Sequence, residues 1–300
     1  MRFDFIRQHK KAYPVTLLCR ILEVSRSGFY GYLKAMGNKK YNIEQAVLES
    51  MVRKIFLESK KSYGSRRILK KLILMGYNIG RYKVRSLMRK LNIRPRGKRH
   101  YKVTTNSKHN YTVAPNLVNR CFDVELPNRV WTADITYIWT LEGWLYLAVV
   151  MDLFSRRIIG WSMDKNMEVQ LVMDAIAMAY WMRKPPAGLI HHSDRGSQYA
   201  CAKYQQRLSS YQMIPSMSRK GDCWDNSPIE RFFRSLKSEH LTYCRLTTRK
   251  VAKKEILEYI TFYNAYRLHS KLGYVSPIEY ERMFNCNLNM AEEKIAENQN

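Results

Sequence analysis

Asp134, Asp194 and Glu230 are the residues whose types and settings could do chemistry together. Asp194 ends the short apolar run GLIHHSD and is followed by Arg195-Gly196-Ser197, so it is expected at the carboxyl end of a buried strand, where the chain turns into a loop. Glu230 lies in DNSPIERFFRSLKSEHL, where Ser227 can cap a helix and Pro228 suits the first helical position. At ~100° per residue, Arg234 falls about 40° from Glu230 and Lys237 about 20° to its other side, while Ile229, Phe232, Phe233 and Leu236 gather on a neighbouring face. Ser227 to Glu230 also has the S-x-x-E spacing of a capping box, a structural use for the same glutamate. Asp134 sits in WTADITYIWT, whose period-two alternation predicts a strand over 130–139. An acid in mid-strand is disfavoured by propensity and by burial, so it needs a partner or a metal. Three such acids can hold a pair of divalent cations.

The segments WTADITYI, HHSDRGSQYA, SMSRKGDCWDNSPIERFFRSLKSEH and YNAYRLHSKLGYVSPIEY resemble the catalytic subunit of bacterial insertion-sequence transposases. The resemblance is to the two-reading-frame family with a retroviral-integrase-like DDE core, encoded by the second of the overlapping frames, and it covers most of the chain. It maps the family's three acids onto Asp134, Asp194 and Glu230, with 35 residues between the last two, and its basic residue seven after the glutamate onto Lys237. It implies a ribonuclease-H-like α/β core and two divalent metal ions, magnesium or manganese, held by the three acids. It also implies cleavage of double-stranded DNA at the element's ends by water, then attack of the freed 3′-hydroxyl on target DNA. The implied partners are element-end and target DNA, further copies of the chain on that DNA, and the product of the upstream frame. The residues alone support metal-assisted phosphoryl transfer on nucleic acid. A nuclease without strand transfer and a DNA-binding regulator with an inactive core are the alternatives.

Composition agrees with a nucleic-acid partner. The net charge of +27 is lopsided: residues 1–120 carry 29 Lys/Arg against 5 Asp/Glu, and residues 121–300 carry 23 against 20. A content of 46% hydrophobic and 12% aromatic residues argues for a folded chain. The six cysteines form no C-x-x-C pair, which excludes a zinc ribbon and a disulfide framework. No apolar run reaches the ~18 residues of a membrane span. A cytoplasmic, nucleoid-associated location with free thiols is expected.

Residues 1–40 read as a small helical segment, two short helices around a turn between 14 and 35, with equal claim to be a helix-turn-helix or a packing hairpin. Gly28 and Gly31 lower its helix propensity. After a break at Gly37-Asn38-Lys39-Lys40, a long helix is expected from Ile43 to Lys60. Residues 41–93 read as a helix-turn-helix DNA-binding domain, with Ser65 capping one helix, Gly76 stopping it and a second helix starting near Arg81. Arg66, Arg67, Lys70, Arg81, Lys83, Arg85 and Arg89 are its candidate DNA contacts. Residues 94–125 read as a basic linker, in which Arg96, Lys98 and Arg99 can follow a phosphate backbone.

The catalytic core is expected over 126–245: strands 130–139, 144–153 and 156–163, helix 168–182, strand 188–193, helix 199–210 and a short strand at 212–217. Three antiparallel strands followed by alternating helix and strand make a mixed five-stranded sheet with helices on both faces. The resemblance adds that the first strand lies beside the fourth, bringing Asp134 next to Asp194. Asp152 also ends a strand, and a turn or hydrogen-bonding role suits it better than metal binding. Arg195, Gln198 and Tyr199 follow Asp194 and are placed to touch a substrate strand; Lys237 is assigned to a phosphate. Residues 246–286 form a helical extension in which Asn264, Arg267 and His269 match the family's YN-x-x-R-x-H pattern and are assigned to substrate positioning. Residues 287–300 are expected to be a frayed tail.

Overall fold

The computed structural model describes residues 2–96, 113–219 and 222–297, so Lys98 and Arg99 lie outside the described residues. The chain divides into two compact units, Met1–Glu58 with Tyr63–Arg94, and Ser59–Ser62 with Pro95–Asn300.

The first unit is helical: α1 (Arg2–His9), α2 (Val15–Ile21), α3 (Arg26–Glu58), α4 (Ser65–Leu74) and α5 (Arg81–Lys90). The 33 residues of α3 run without interruption through the expected break at residues 37–40 and take in Gly28 and Gly31. The helix penalty of a glycine is only ~1 kcal/mol, and tertiary packing overrides it. A Cβ on Gly28 would lie 2.8 Å from Ser25 Oγ and 3.1 Å from Phe3 Cζ, so glycine permits α1 to approach α3. Ile6, Leu18, Cys19 and Phe29 close this small core. The division at residue 40 drawn from the sequence is therefore not a structural boundary. Further on, α4 stops at Leu74, and the chain turns away at Gly76, whose φ of +86° favours glycine. Gly64, not Ser65, precedes α4, and no side-chain cap closes it. Ile68 and Leu72 of α4 and Val84, Leu87 and Met88 of α5 are buried, as the helical spacing of these residues requires.

The second unit is built on a five-stranded sheet in the order β3-β2-β1-β4-β5: β1 (Val130–Thr140), β2 (Gly143–Asp152), β3 (Ile158–Asp164), β4 (Ile190–Ser193) and β5 (Ile214–Met217). β1 pairs antiparallel with β2 and parallel with β4, and β4 pairs parallel with β5. This is the ribonuclease-H-like order that the resemblance implies. One layer of the core lies between the sheet and α6 (Val169–Arg183), where Ala148, Val150 and Ile159 meet Val172, Ala175, Ile176 and Ala179. Gly160 makes the closest contact of that layer: a Cβ there would overlap the Ala175 carbonyl oxygen and lie 2.8 Å from Ala179 Cβ. The helix expected at 199–210 is two pieces, α7 (Ser197–Ala200) and α8 (Ala202–Ser210).

α9 (Ser227–Ser235) carries Glu230 and continues into a π turn over Leu236–His240 and a 3-10 turn over Leu241–Tyr243, after which come α10 (Arg249–Ala265) and α11 (Pro277–Glu297). The Glu281 carboxylate of α11 accepts from Ser155 Oγ at 2.7 Å and Arg157 Nη1 at 2.6 Å and pairs with Arg183, while Phe154 packs on Tyr280 and Phe284. These contacts fasten the carboxyl-terminal extension to the turn between β2 and β3 and to the end of α6. The tail expected from residue 287 is helical through Glu297 instead. Met, Ala, Glu and Lys there have high helix propensity, which an absence of apolar periodicity does not cancel.

The expected linker also needs correction at its carboxyl end. Val113 and Ala114 pack on the core, Asn116 Nδ2 donates to Asp225 at 2.9 Å, and Arg120 Nε donates to the same carboxylate at 2.8 Å. Residues 113–120 thus belong to the catalytic unit. Their polar composition hid this, because they dock through ion pairs and a few scattered apolar side chains, Val113, Ala114 and Val118, rather than through a periodic face.

Candidate active site

The parallel pairing of β1 with β4 sets Ala133 opposite Ser193. Asp134 and Asp194 each follow those residues by one, so the two carboxylates stand on neighbouring strands at the same end of the pairing. Asp134 Oδ1 accepts from the Ile135 N–H at 2.8 Å, and Asp194 Oδ1 accepts from the Gly196 N–H at 2.9 Å. Burial and the Asp194 charge hold the Asp134 carboxyl well above the usual carboxylate range, with Glu230 adding to the shift. Glu230, in the first turn of α9, is raised by burial and by Asp194, against the pull of Arg234. The structure thus brings all three sequence-derived acids into one electrostatic group.

α9 reaches this position by a device other than the expected capping box. A 3-10 turn, Cys223–Asn226, leads into it, Ser227 is already helical, and no side-chain cap closes its first turn. The Asn226 side chain is committed to β1 instead: Nδ2 donates to the Ala133 carbonyl oxygen at 3.1 Å, and Oδ1 accepts from the Thr132 hydroxyl. Asp225 next to it is buried and accepts from Arg219, Arg120 and Asn116, which hold its carboxyl below the usual carboxylate range. The long-range partners of Asp225 and Asn226 lie beyond what local spacing shows.

Lys237 lies in the π turn, half-buried, its ammonium 4.9 Å from the centre of the Tyr137 ring. Burial lowers its pKa while the Asp134 charge opposes that shift, so the lysine stands beside the acids. Asp152 takes the structural role expected of it. It is buried and accepts from the backbone N–H groups of Asn128 and Phe154 at 2.9 and 3.0 Å, and burial pushes its carboxyl up to about 6. His191 and His192 are buried as well, the first against the Tyr204 hydroxyl and the second between Ser216 Oγ and the Asp225 carbonyl.

Several expected substrate contacts are engaged within the chain. Tyr199 is buried, and the charges of Asp134 and Asp194 help to raise its hydroxyl well above the usual range, so it underlies the acids and does not face a substrate strand. Arg195 Nε donates to the Ser218 carbonyl at 2.6 Å, and Gln198 Nε2 to that of Met167 at 3.1 Å. Asn264 is buried and clamps both backbone groups of Ile158 at the start of β3, at 2.8 and 2.9 Å. Arg267 is buried and makes a two-pronged contact with Glu239 at 2.7 and 2.9 Å. His269 is buried edge-on against Tyr263. Asn264, Arg267 and His269 are therefore held in the interior at and just beyond the end of α10. Their match to the family pattern suggested contact with substrate, but Asn264 satisfies buried backbone, Arg267 a buried charge, and His269 packs on an aromatic ring. Arg96 is likewise engaged, stacked 3.9 Å from the Tyr243 ring centre with Nη1 donating to the Glu239 carbonyl.

In the helical unit, Arg66 and Lys70 of α4 and Arg81, Arg85 and Arg89 of α5 are exposed. Tyr82, which is 86% exposed beside Arg81, is a candidate contact the sequence reading missed; its place among arginines at helical spacing was the available signal. Lys83 lies on the other side of α5, where its ammonium donates to Gln45 of α3 at 2.9 Å, and Arg67 packs over the Tyr63 ring. On the catalytic unit, Trp224 stands 66% exposed in the turn ahead of α9, a second aromatic that was passed over.

An integrase core domain family is matched over residues 125–223, a second integrase core domain family over 230–284 and an HTH-like domain family over 42–102. A solved retroviral structure, the HTLV-2 integrase catalytic core domain in complex with magnesium, aligns with 48% of this chain and 92% of that chain at 21% identity and a TM-score of 0.40. The chain is 42% identical over 270 residues to the insertion element IS600 uncharacterized 31 kDa protein of Shigella sonnei, covering 89% of this chain and 98% of that protein. It is 38% identical over 284 residues to the transposase InsF for insertion sequence IS3A of Escherichia coli, covering 94% of this chain and 98% of the relative. With that identity over nearly the whole length and the integrase core matched in two successive parts, the chain belongs to the insertion-sequence transposases with an integrase-like DDE core.

Proposed function

We propose that the chain cuts double-stranded DNA at the ends of an insertion sequence and joins the freed 3′-hydroxyl to target DNA, with Asp134, Asp194 and Glu230 as the catalytic carboxylates. The observation that carries this reading is the convergence of these acids: two on paired strands one residue beyond Ala133 and Ser193, the third on the helix tied to β1 through Asn226. Burial first, and then the charge of neighbouring carboxylates, opposes ionisation here, and the raised values of Asp134 and Glu230 record that cost. An all-oxygen anionic donor set of this kind fits magnesium or manganese, whose charge relieves the repulsion. When bound, a pair of such ions supplies activation of the attacking oxygen and stabilisation of the leaving oxygen.

The chain's own residues do the holding and positioning. Asp134 lies within β1 and Asp194 follows β4 directly, so the pairing of the two strands sets the separation of their carboxylates. Lys237, beside Asp134, adds positive charge where a phosphodiester must approach carboxylates. The exposed edge of α5, with Arg81, Tyr82, Arg85 and Arg89, is the surface we assign to DNA, with Arg66 and Lys70 of α4 as further phosphate contacts. Assembly of several copies on the element ends and a contribution from an upstream-frame product belong to the same proposal.

Strand transfer tests it directly. Oligonucleotide duplexes carrying the element's ends are incubated with the chain and magnesium, alone and with the upstream-frame product, and joined products are resolved from nicked ones. Joined DNA that disappears in Glu230→Gln, with duplex binding kept, is the expected result. Nicking without joining under every condition supports a nuclease, and parent-like joining by Glu230→Gln overturns the three-acid assignment.

A further inference from the structure

Beyond the acids, a second cluster combines three different ligand types. His240 closes the π turn, Cys244 follows the 3-10 turn Leu241–Tyr243, and Glu255 lies on α10. His240 Nε2 is 2.7 Å from Glu255 Oε2, Cys244 Sγ is 3.3 Å from the same oxygen and 3.9 Å from Nε2. One ligand atom from each lies within 4.8 Å of the others, and this is the only such trio of His, Cys, Asp or Glu among the described residues.

We propose that His240, Cys244 and Glu255 bind a transition-metal cation of the zinc class, at a site separate from Asp134, Asp194 and Glu230. Distances of about 2.0 Å from zinc to nitrogen or oxygen and about 2.3 Å to sulfur, at tetrahedral angles, put ligand atoms roughly 3.3–3.5 Å apart. The observed 2.7, 3.3 and 3.9 Å bracket that spacing, so the cation enters with shifts of about half an ångström, chiefly by opening the contact between His240 and Glu255. A thiolate, an imidazole and one carboxylate form a donor set that selects zinc, cobalt or iron(II) over magnesium. His240 is buried, while Cys244 and Glu255 are half-buried, so the trio is partly open to solvent.

Charge in the surroundings cuts both ways. Lys60 and Arg96 act on Cys244 in favour of the thiolate but oppose a cation, and Glu258 pairs with Lys60 at 3.9 Å. Without metal, burial and Glu255 push the Cys244 thiol up to about 11, so the metal must displace that proton and binds more tightly as pH rises. A cation here would tie the turn that carries Lys237 to α10, alongside the Glu239 to Arg267 pair.

Cobalt(II) is the test probe, added to the whole chain after chelator treatment and without DNA. One equivalent is expected to give visible bands of tetrahedral cobalt and a near-ultraviolet thiolate-to-cobalt charge-transfer band, all removed by one equivalent of zinc. Cys244→Ser is expected to abolish the charge-transfer band, Glu255→Gln to weaken binding at least about tenfold, and the double variant Asp134→Asn with Asp194→Asn to leave the spectrum unchanged. Absence of the charge-transfer band in the parent, its survival in Cys244→Ser or its loss in the double aspartate variant overturns the proposal. Because the readout needs no catalysis, it stands or falls independently of the strand-transfer reading.

Discussion

The side-chain amide of Asn226 donates to the Ala133 carbonyl oxygen at 3.1 Å, joining the residue before α9 to the residue before Asp134. One short bridge thereby sets the register between the helix bearing Glu230 and the strand bearing Asp134. Asn226→Ala removes this bond and the acceptor of the Thr132 hydroxyl, leaving two buried groups unpaired at ~1–3 kcal/mol each. Single-turnover cleavage by the variant is expected to fall at least about tenfold, along with a lower melting temperature. Parent-like cleavage would show that α9 finds its place without this bridge.

The acids trade stability for function. Asp134 and Glu230 have folded-state pKa values raised by burial and neighbouring charge, so without metal the folded chain loses stability as pH rises from the ordinary carboxylate range towards the raised values. Asp134→Asn removes one such charge and keeps an acceptor for the Ile135 N–H. We expect the metal-free variant to melt above the parent at pH 7 and to lack cleavage and joining. A lower melting temperature would mean that the Asp134 charge is stabilised in the metal-free fold.

The same shifts set the acid limb of activity. Metal binding requires the carboxylates ionised, so activity should decline as pH falls through a midpoint above the ~4 of an unperturbed carboxylate. Raising magnesium should move that midpoint to lower pH. A midpoint that ignores metal concentration would assign the limb to some other group.

DNA affinity should separate the two sides of α5. Substituting Arg81, Arg85 or Arg89 with Gln is expected to weaken duplex binding and to lower the salt slope by about one for each phosphate no longer neutralised. Lys83→Gln, which loosens a hydrogen bond to Gln45 within the unit, should leave the slope nearly unchanged. Fluorescence anisotropy at several salt concentrations measures both, and a larger drop in slope from Lys83→Gln than from the arginine variants would relocate the surface.

Packing at Gly160 offers a stability test remote from the acids. With the Ala175 carbonyl and Ala179 Cβ where a new methyl would go, Gly160→Ala must push α6 off β3, an overpacking that costs ~1–3 kcal/mol. Chemical denaturation should show that loss; unchanged stability would mean the layer yields without strain.

The strands and their order along the chain were legible in the sequence, because the patterning of apolar and polar residues is local, and the three acids stood out there by their spacing and flanking segments. The paired exposed and buried faces of α4 and α5 were legible for the same reason. Other features depended on contacts between residues far apart in the chain. Gly28 lies inside a continuous helix because Phe3 packs against it, and residues 113–120 belong to the core because Arg120 and Asn116 meet Asp225. Asn264, Arg267 and His269 read as substrate-positioning residues because they match the family's YN-x-x-R-x-H pattern, yet Asn264 satisfies the Ile158 backbone and Arg267 neutralises Glu239 in the interior. Periodicity reports which face of an element is apolar, but only the folded chain decides which polar group finds a buried partner, since the cost of leaving that partner unpaired is fixed by distant residues.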